Sequence, residues 1–273
     1  MIGKNVATWL EDLSGQNEKR AIKVAGHLLN TSENYFDDKK VSVVERTSIA
    51  NQAIKLADNK NSEIRNCVAH LIAILNVWSE EIELTLKSLL NDADDSVATS
   101  SVWATGKNGK HSVDIIDSLV KLIDHPNREV RWRIPWAIIQ IEPPLVGVKK
   151  ALFALTSDKD NTAKMYALDA LAACVSAPDK DIISLVKNGL KDEAGEVRGA
   201  ACRLVKKIEG DWSLVKSDLE YTFKNDMHGV KRDAVMALCK RWPESVMSQD
   251  IKSWLHENQG YWWAVKLLSG EKI

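Results

Sequence analysis

The sequence predicts an all-α fold: an α-α superhelix, or solenoid, of about seven stacked helix pairs. A unit of about 33 residues that recurs along the chain is the first reason. Its apolar anchors are Ile64, Val97, Val130, Ala163, Val197, Val230 and Tyr261, at intervals of 33, 33, 33, 34, 33 and 31 residues. The stretches that follow these anchors are the second reason, because they carry apolar residues at helical spacing and so have one face to bury. The third is that no segment alternates polar and apolar residues in the manner of a half-buried strand. A helix pair of this size cannot cover its own apolar face, so the units must stack.

Taken in chain order, residues 5–30 read as a degenerate first unit with AIKVAGHLL as its second helix. The polar stretch NTSENYFDDKK (30–40) reads as a longer loop. The first helices of the regular units include VERTSIANQAIKLA, EIELTLKSLL, VDIIDSLVKLI, DIISLVKNGL and LVKSDLEYTF, each with an apolar stripe. Counting each anchor as position 0, the second helices place Val, Ile, Leu or Ala mostly at positions 0, 4, 7, 8 and 11. At about 100° per residue these fall within one arc, the predicted buried stripe. TGKNGKHS (105–112) has two residues between its glycines where a phosphate loop needs four, and no strand precedes it, so it reads as a connector. Pro135, inside RWRIPWAII, removes a backbone donor and bends its helix, either neutrally or so as to shape a cleft around Trp132 and Trp136. YWWAVKLLSG closes the array, with Trp262 and Trp263 over the last apolar face. The expectation is one repeat domain over 1–273, with residues 1–40 as a cap unit, 41–242 as regular repeats and 243–273 as a second cap.

Two polar positions repeat as well. Position 1 is a cation in five units: Arg65, Arg131, Lys164, Arg198 and Lys231. Five residues before the anchor stand Asn59, Asp92, His125, Asp158, Asp192, Asn225 and His256. Such side chains end turns and cap the next helix. Together with the position-1 cations they are expected to form a ladder from unit to unit.

Composition narrows the function. A formal net charge of −1 provides no global field for nucleic acid or an anionic membrane. MIGKNVATWLEDL has no apolar run after its lysine, and no stretch reaches the roughly 18 apolar residues of a bilayer span. A cytoplasmic location is the default expectation. Cys67, Cys174, Cys202 and Cys239 all lie in second helices without a CxxC pair, as buried or half-buried thiols do. The histidines form no HExxH, and no nucleophile–base pair follows from spacing, so no catalytic residue, metal or cofactor is predicted. Ten tryptophans against three phenylalanines and four tyrosines is the unusual feature, and Trp is a residue of binding hot spots.

The pattern Asp/Asn-x4-Val-Arg-x2-Ala resembles the HEAT repeat. It is clearest in DEAGEVRGAA (192–201) and recognisable in NKNSEIRNCV (59–68) and HPNREVRWRI (125–134), and the resemblance covers residues 41–268. It implies that second helices line a concave side; the arc opposite the buried stripe holds positions 2, 3, 6, 9 and 10, of which 2, 3 and 6 carry the informative side chains. Those positions hold Trp103, Trp132, Arg133, Trp136, Met165, Tyr166, Asp169, Arg203, Arg232 and Asp233, a composition suited to recognition. The expected function is a non-enzymatic scaffold, adaptor or inhibitor that binds another protein or a peptide segment. The alternative is nucleic-acid binding, because the HEAT-like alkylpurine DNA glycosylases carry Trp, Asp and Arg on such a face. Arg133 stands at a position similar to their DNA-contacting arginine, but Ala98 occupies the place of the acidic residue and Asp169 lies one repeat later. A single His256–Glu257 pair departs from the di-iron hydroxylases built on HEAT repeats. The phycobilin lyases share the repeat and the length, but their bilin-handling residues have no counterpart that can be placed here.

Overall fold

The structure, a computed structural model, describes residues 2–15, 17–30, 36 and 41–271. Apart from Asn30 and Phe36, the expected loop over 30–40 lies outside the described residues. Among those described are sixteen α-helices and no strand. The chain divides into two compact units, Met1–Ala151 and Leu152–Ile273.

Unit 1 contains α1 (Ile2–Ser14), α2 (Glu18–Leu29), α3 (Val43–Ala53), α4 (Ser62–Leu75), α5 (Glu80–Leu89), α6 (Asp95–Lys107), α7 (Ile116–Val120) and α8 (Arg128–Ile141). The stretch after α6 continues as a 3-10 helix over Gly109–Ile115, so TGKNGKHS is a helical connector. The division falls inside α9 (Leu145–Leu155). Unit 2 contains α10 (Asn161–Cys174), α11 (Lys180–Gly189), α12 (Gly195–Lys207), α13 (Lys216–Asn225), α14 (His228–Arg241), α15 (Gln249–Glu257) and α16 (Trp262–Leu268). In unit 1 the second helices α2, α4, α6 and α8 stack in that order, and in unit 2 so do α10, α12 and α14.

The buried stripe follows the repeat positions. In α4 it is Ile64, Val68, Leu71, Ile72 and Leu75, and in α12 Val197, Ala201, Leu204, Val205 and Ile208. Burial of each larger apolar side chain contributes about 1.5–3 kcal/mol. Helix α6 keeps the positions but changes the chemistry, burying Ser101, Thr105 and Asn108 beside Val97 and Ala104. Each polar group is satisfied one turn back. Ser101 Oγ donates to the Val97 carbonyl at 2.7 Å, Thr105 Oγ1 to that of Ser101 at 2.8 Å, and Asn108 Nδ2 to that of Ala104 at 2.8 Å. Bonded within their own helix, these groups avoid the cost of unpaired burial. Pro135 is buried, and α8 runs through it without a break from Arg128 to Ile141.

The last unit has a different anchor. Tyr261 is exposed at 54%, whereas Trp263 is 6% exposed, lies 33 residues after Val230, and is followed at position 4 by buried Leu267. Trp263 therefore covers the last apolar face, and Trp262, at 65% exposure, does not. An aromatic ring occupies the slot that Val or Ile fills elsewhere, which a pattern of aliphatic anchors passes over.

Helix caps sit two residues nearer the anchor than expected. Asn61, Asp94, Asn127 and Asp160, at position −3, cap α4, α6, α8 and α10 with their side chains. Position −5 instead closes the turn. Asn59, Asp92, Asp158 and Asp192 each accept the backbone N–H two residues on, at 2.7–2.9 Å. The carboxylates of the aspartates still have lone pairs to accept bonds from the neighbouring unit. Arg65 donates Nε to Asp92 Oδ2 at 2.6 Å and Nη2 to Asp92 Oδ1 at 2.8 Å, while its Nη1 reaches the Asn59 carbonyl at 2.7 Å. Lys164 Nζ lies 2.7 Å from Asp192 Oδ2. Arg198 repeats the fork onto Asp226 at 2.5 and 2.7 Å, with Nη1 on the Asp192 carbonyl at 2.8 Å. Here Asp226 takes the place expected for Asn225, a one-residue slip. The rung after it joins His228 Nε2 and Asn258 Oδ1 at 2.6 Å, and Asn258 is the position −5 residue once Trp263 is the anchor. The ladder inferred from the repeat is present, with these shifts.

Two outcomes follow from the rungs. Asp226 is only 7% exposed, so Arg198→Ala leaves a buried carboxylate without its fork and is expected to destabilise unit 2 by about 2–4 kcal/mol in urea titration. Arg198→Lys recovers only part of this, because an ammonium cannot make the bidentate pair. The Arg65 and Arg198 hydrogen bonds hold Asp92 and Asp226 below the ordinary carboxylate range. A lowered folded pKa gives stability that is full above the unfolded value of about 4 and is lost as pH falls through the folded one. Melting temperature should therefore drop between about pH 5 and pH 2, and Asp226→Asn should flatten that drop.

Candidate functional site

The ten residues expected on the outward arc divide between the two units. Trp103, Trp132, Arg133 and Trp136 belong to unit 1, and Met165, Tyr166, Asp169, Arg203, Arg232 and Asp233 to unit 2. Eight of the ten are half-buried; Arg232 is exposed and Asp233 is buried at 6%.

In unit 1 the Trp103 and Trp136 rings each lean on the second helix before their own. The Trp103 ring of α6 lies 5.1 Å from the His70 ring of α4, centroid to centroid. Trp136 of α8 lies over Gly106 of α6 so closely that a Cβ there would meet ring carbon Cζ3 at 2.5 Å. The glycine is what lets the ring settle into the helix surface. Trp132 is held differently, by residues of its own helix. The Arg133 guanidinium sits 4.4 Å from its ring centroid, and its Nε1–H donates to Glu129 Oε2 at 3.0 Å. Glu129 Oε2 is also 3.8 Å from Arg133 Nη2.

Glu129 and Arg133 reach from this group into a cleft of about 770 Å³. Its walls also carry Asn66, Thr99, Ser100 and the start of α6 with Asp94 and Asp95. Three carboxylates thus face one guanidinium. Hydrogen bonds from Ser96 and Ser62 hold Asp94 below the usual carboxylate range. Asp95 accepts from Asn127 Nδ2 at 2.9 Å. Positions 2, 3 and 6 did not include Glu129, Asp94 or Asp95. Glu129, three residues before Trp132 and four before Arg133, could have been found from helical spacing alone.

In unit 2 the charged residues meet one another. Arg203 of α12 binds Asp169 of α10 with Nε at 3.1 Å and Nη2 at 2.8 Å, and Asp233 of α14 with Nη1 at 3.1 Å. Arg232 closes on Asp233 Oδ1 with Nε at 2.9 Å and Nη2 at 2.7 Å. Burial works to lower the Arg203 pKa, but the two aspartates outweigh it and hold it above its ordinary value. Gly199 makes room for the network, since a Cβ there would stand 3.2 Å from Asp233 Oδ2. Asp169, Arg203 and Asp233 thus join three successive second helices by charge, with Met165 and Tyr166 half-buried on α10.

Among the described residues no group of three or more His, Cys, Asp or Glu is arranged to hold a metal ion, and no helix is long and apolar enough to cross a membrane. Burial pushes the Cys67 and Cys239 thiols up to about 12, and that of Cys202 further in the same direction. None of these three is a thiolate nucleophile near neutral pH.

No family model matches the chain, and no curated protein matches it in sequence. Solved structures do. The YibA protein of Escherichia coli superposes with a TM-score of 0.68 at 17% identity, covering 98% of this chain and 93% of that one. An engineered protein matches with a TM-score of 0.63 at 18% identity, over 91% of this chain and 71% of the other. A designed armadillo repeat protein in complex with the peptide (KR)4 matches at 0.53 and 17%, over 85% and 98%. At these identities the likeness establishes the fold, an all-α solenoid of helical repeats.

Proposed function

We propose that this chain is a non-enzymatic, HEAT-like scaffold that binds a segment of another protein along its second helices, as an adaptor or an inhibitor. The observation that carries this reading is the setting of Trp132. Its ring is fixed from two sides by Arg133 and Glu129, and both of these line the adjoining cleft of about 770 Å³. An aromatic anchor whose rotamer is already locked costs little further entropy on binding, which is how hot-spot tryptophans act. The fold supports the same reading, since a designed repeat protein of this class holds a peptide. Charge favours protein over nucleic acid at this face. Asp94, Asp95 and Glu129 outnumber Arg133, so the cleft repels phosphate and suits a segment with a Lys or Arg beside an apolar side chain.

Trp132→Ala is the cleaner variant, because Trp136 also packs on Gly106 and its removal opens a gap between helices. Loss of the Trp132 contacts is expected to cost about 1 kcal/mol, a melting shift of roughly 2–4 °C. Affinity capture from native lysate, with each captured protein quantified, should lose a specific partner while helix content is unchanged. Retention of labelled oligonucleotides that falls steeply with salt would instead replace this reading with nucleic-acid binding.

A further inference from the structure

Unit 2 carries a second cavity whose charge is opposite to that of the unit 1 cleft. It measures about 290 Å³ and is lined by Arg203, Lys206, Arg232, Asp233, Met236 and the two rings Trp262 and Trp263. Small pockets of this size, near the low end of ligand sites, admit one side chain rather than a whole cofactor. Its cations are unequally occupied. Arg203 and Arg232 share Asp233, which they neutralise, and Arg203 also holds Asp169. Lys206 makes no hydrogen bond or ion pair through Nζ among the described residues. Burial, together with Lys240 and Arg232 and against the pull of Asp233, pushes its pKa down. An ammonium in that setting gains from an anion placed beside it. Trp262 leaves its ring 65% exposed at the rim, with Lys266 Nζ 5.7 Å from its centroid.

Met236 is also in the wall of a neighbouring cavity of about 600 Å³. That one is mainly apolar, with Val246, Met247, Leu267 and Leu268 around it, and Met247 is 73% exposed. Its lining also includes Lys240, Glu209 and Glu271, the two carboxylates being paired with Arg241 and Lys266 respectively. A flexible thioether surface of this kind adapts to aliphatic side chains. The two cavities therefore place a site for one negative charge next to a site for one apolar group.

We propose that this pair of cavities binds a peptide segment in which a Glu or Asp stands beside an aliphatic residue, the carboxylate between Lys206 and Arg232 and the aliphatic group on Met236 and Met247. This takes from the scaffold reading only that the ligand is a peptide, and it uses residues that the unit 1 cleft does not. Charge complementarity selects the occupant: three cations against one already neutralised carboxylate reject a basic segment and reward an acidic one.

The test is a titration of the full chain with labelled, terminally capped eight-residue peptides bearing a central Leu–Glu, Leu–Gln or Ala–Glu pair. Leu–Glu should bind at least tenfold more tightly than either of the others. Lys206→Met, which keeps the aliphatic stem, should weaken Leu–Glu about tenfold, and Trp132→Ala should leave it unchanged. Should Lys206→Met lower the melting temperature, Trp262→Ala, at an exposed ring, replaces it with the same expectation. Equal binding of Leu–Glu and Leu–Gln, or indifference to both unit 2 variants, would overturn the proposal. So would displacement of the peptide by an oligothymidylate that binds more tightly through Lys206, since the site would then serve phosphate. If the peptide fails to bind while Trp132→Ala still abolishes partner capture, the acid-binding site falls and the scaffold reading stands.

Discussion

The rung between a position-1 cation and the aspartate at the next turn is the interaction on which the stacking depends. An arginine here makes four bonds at once, two to a carboxylate of the following repeat and two to carbonyls of its own turn. The apolar stripe drives stacking but is tolerant of register, since one aliphatic side chain slides past another at little cost. A bidentate guanidinium–carboxylate pair is directional and fixes that register. Arg65–Asp92 in unit 1 and Arg198–Asp226 in unit 2 have the same geometry although their aspartates stand at different counts from the anchor. The geometry is retained where the sequence spacing slips, which marks it as the constraint and the spacing as its usual consequence.

A fixed register is also what makes a side-chain surface possible on the outer arc. Trp136 can settle on Gly106, and Arg203 can bridge Asp169 and Asp233 past Gly199, only because successive helices approach at a set height. In both cases a glycine on one helix provides the space for a large or charged group from the next. The two glycines, themselves buried, thus shape the surface although neither presents a side chain to it.

Much of this was legible in the sequence. The period, the all-α class, the buried stripe and the ladder all follow from one repeat unit laid on another, because stacking makes each unit repeat the same contacts. What escaped the pattern did so for identifiable reasons. Trp263 fills an anchor slot that aliphatic residues taught the eye to expect, so Tyr261 took its place. The polar stripe of α6 departs from the aliphatic pattern, but its hydroxyl and amide groups bond back into their own helix and pack as small neutral groups. Asp233 sits on the outward arc by count and is nonetheless buried, because Arg203 and Arg232 close over it from a different helix and from its own. Burial of a charged group depends on neighbours that a single helical wheel does not contain.

The same limit applies to charge. A net charge of −1 provides no global field, but it averages over surfaces of opposite sign. The cleft beside Trp132 sets three carboxylates against one guanidinium, and the cavity beside Trp262 sets three cations against one carboxylate. Screening confines each of these fields to about 8 Å at physiological salt, so each surface acts on what touches it. On the proposed reading, specificity resides in local imbalance, where a few groups left over from the ladder and the networks remain unneutralised. Lys206 is the clearest case: the arginines near it are committed to aspartates, and its own ammonium is not.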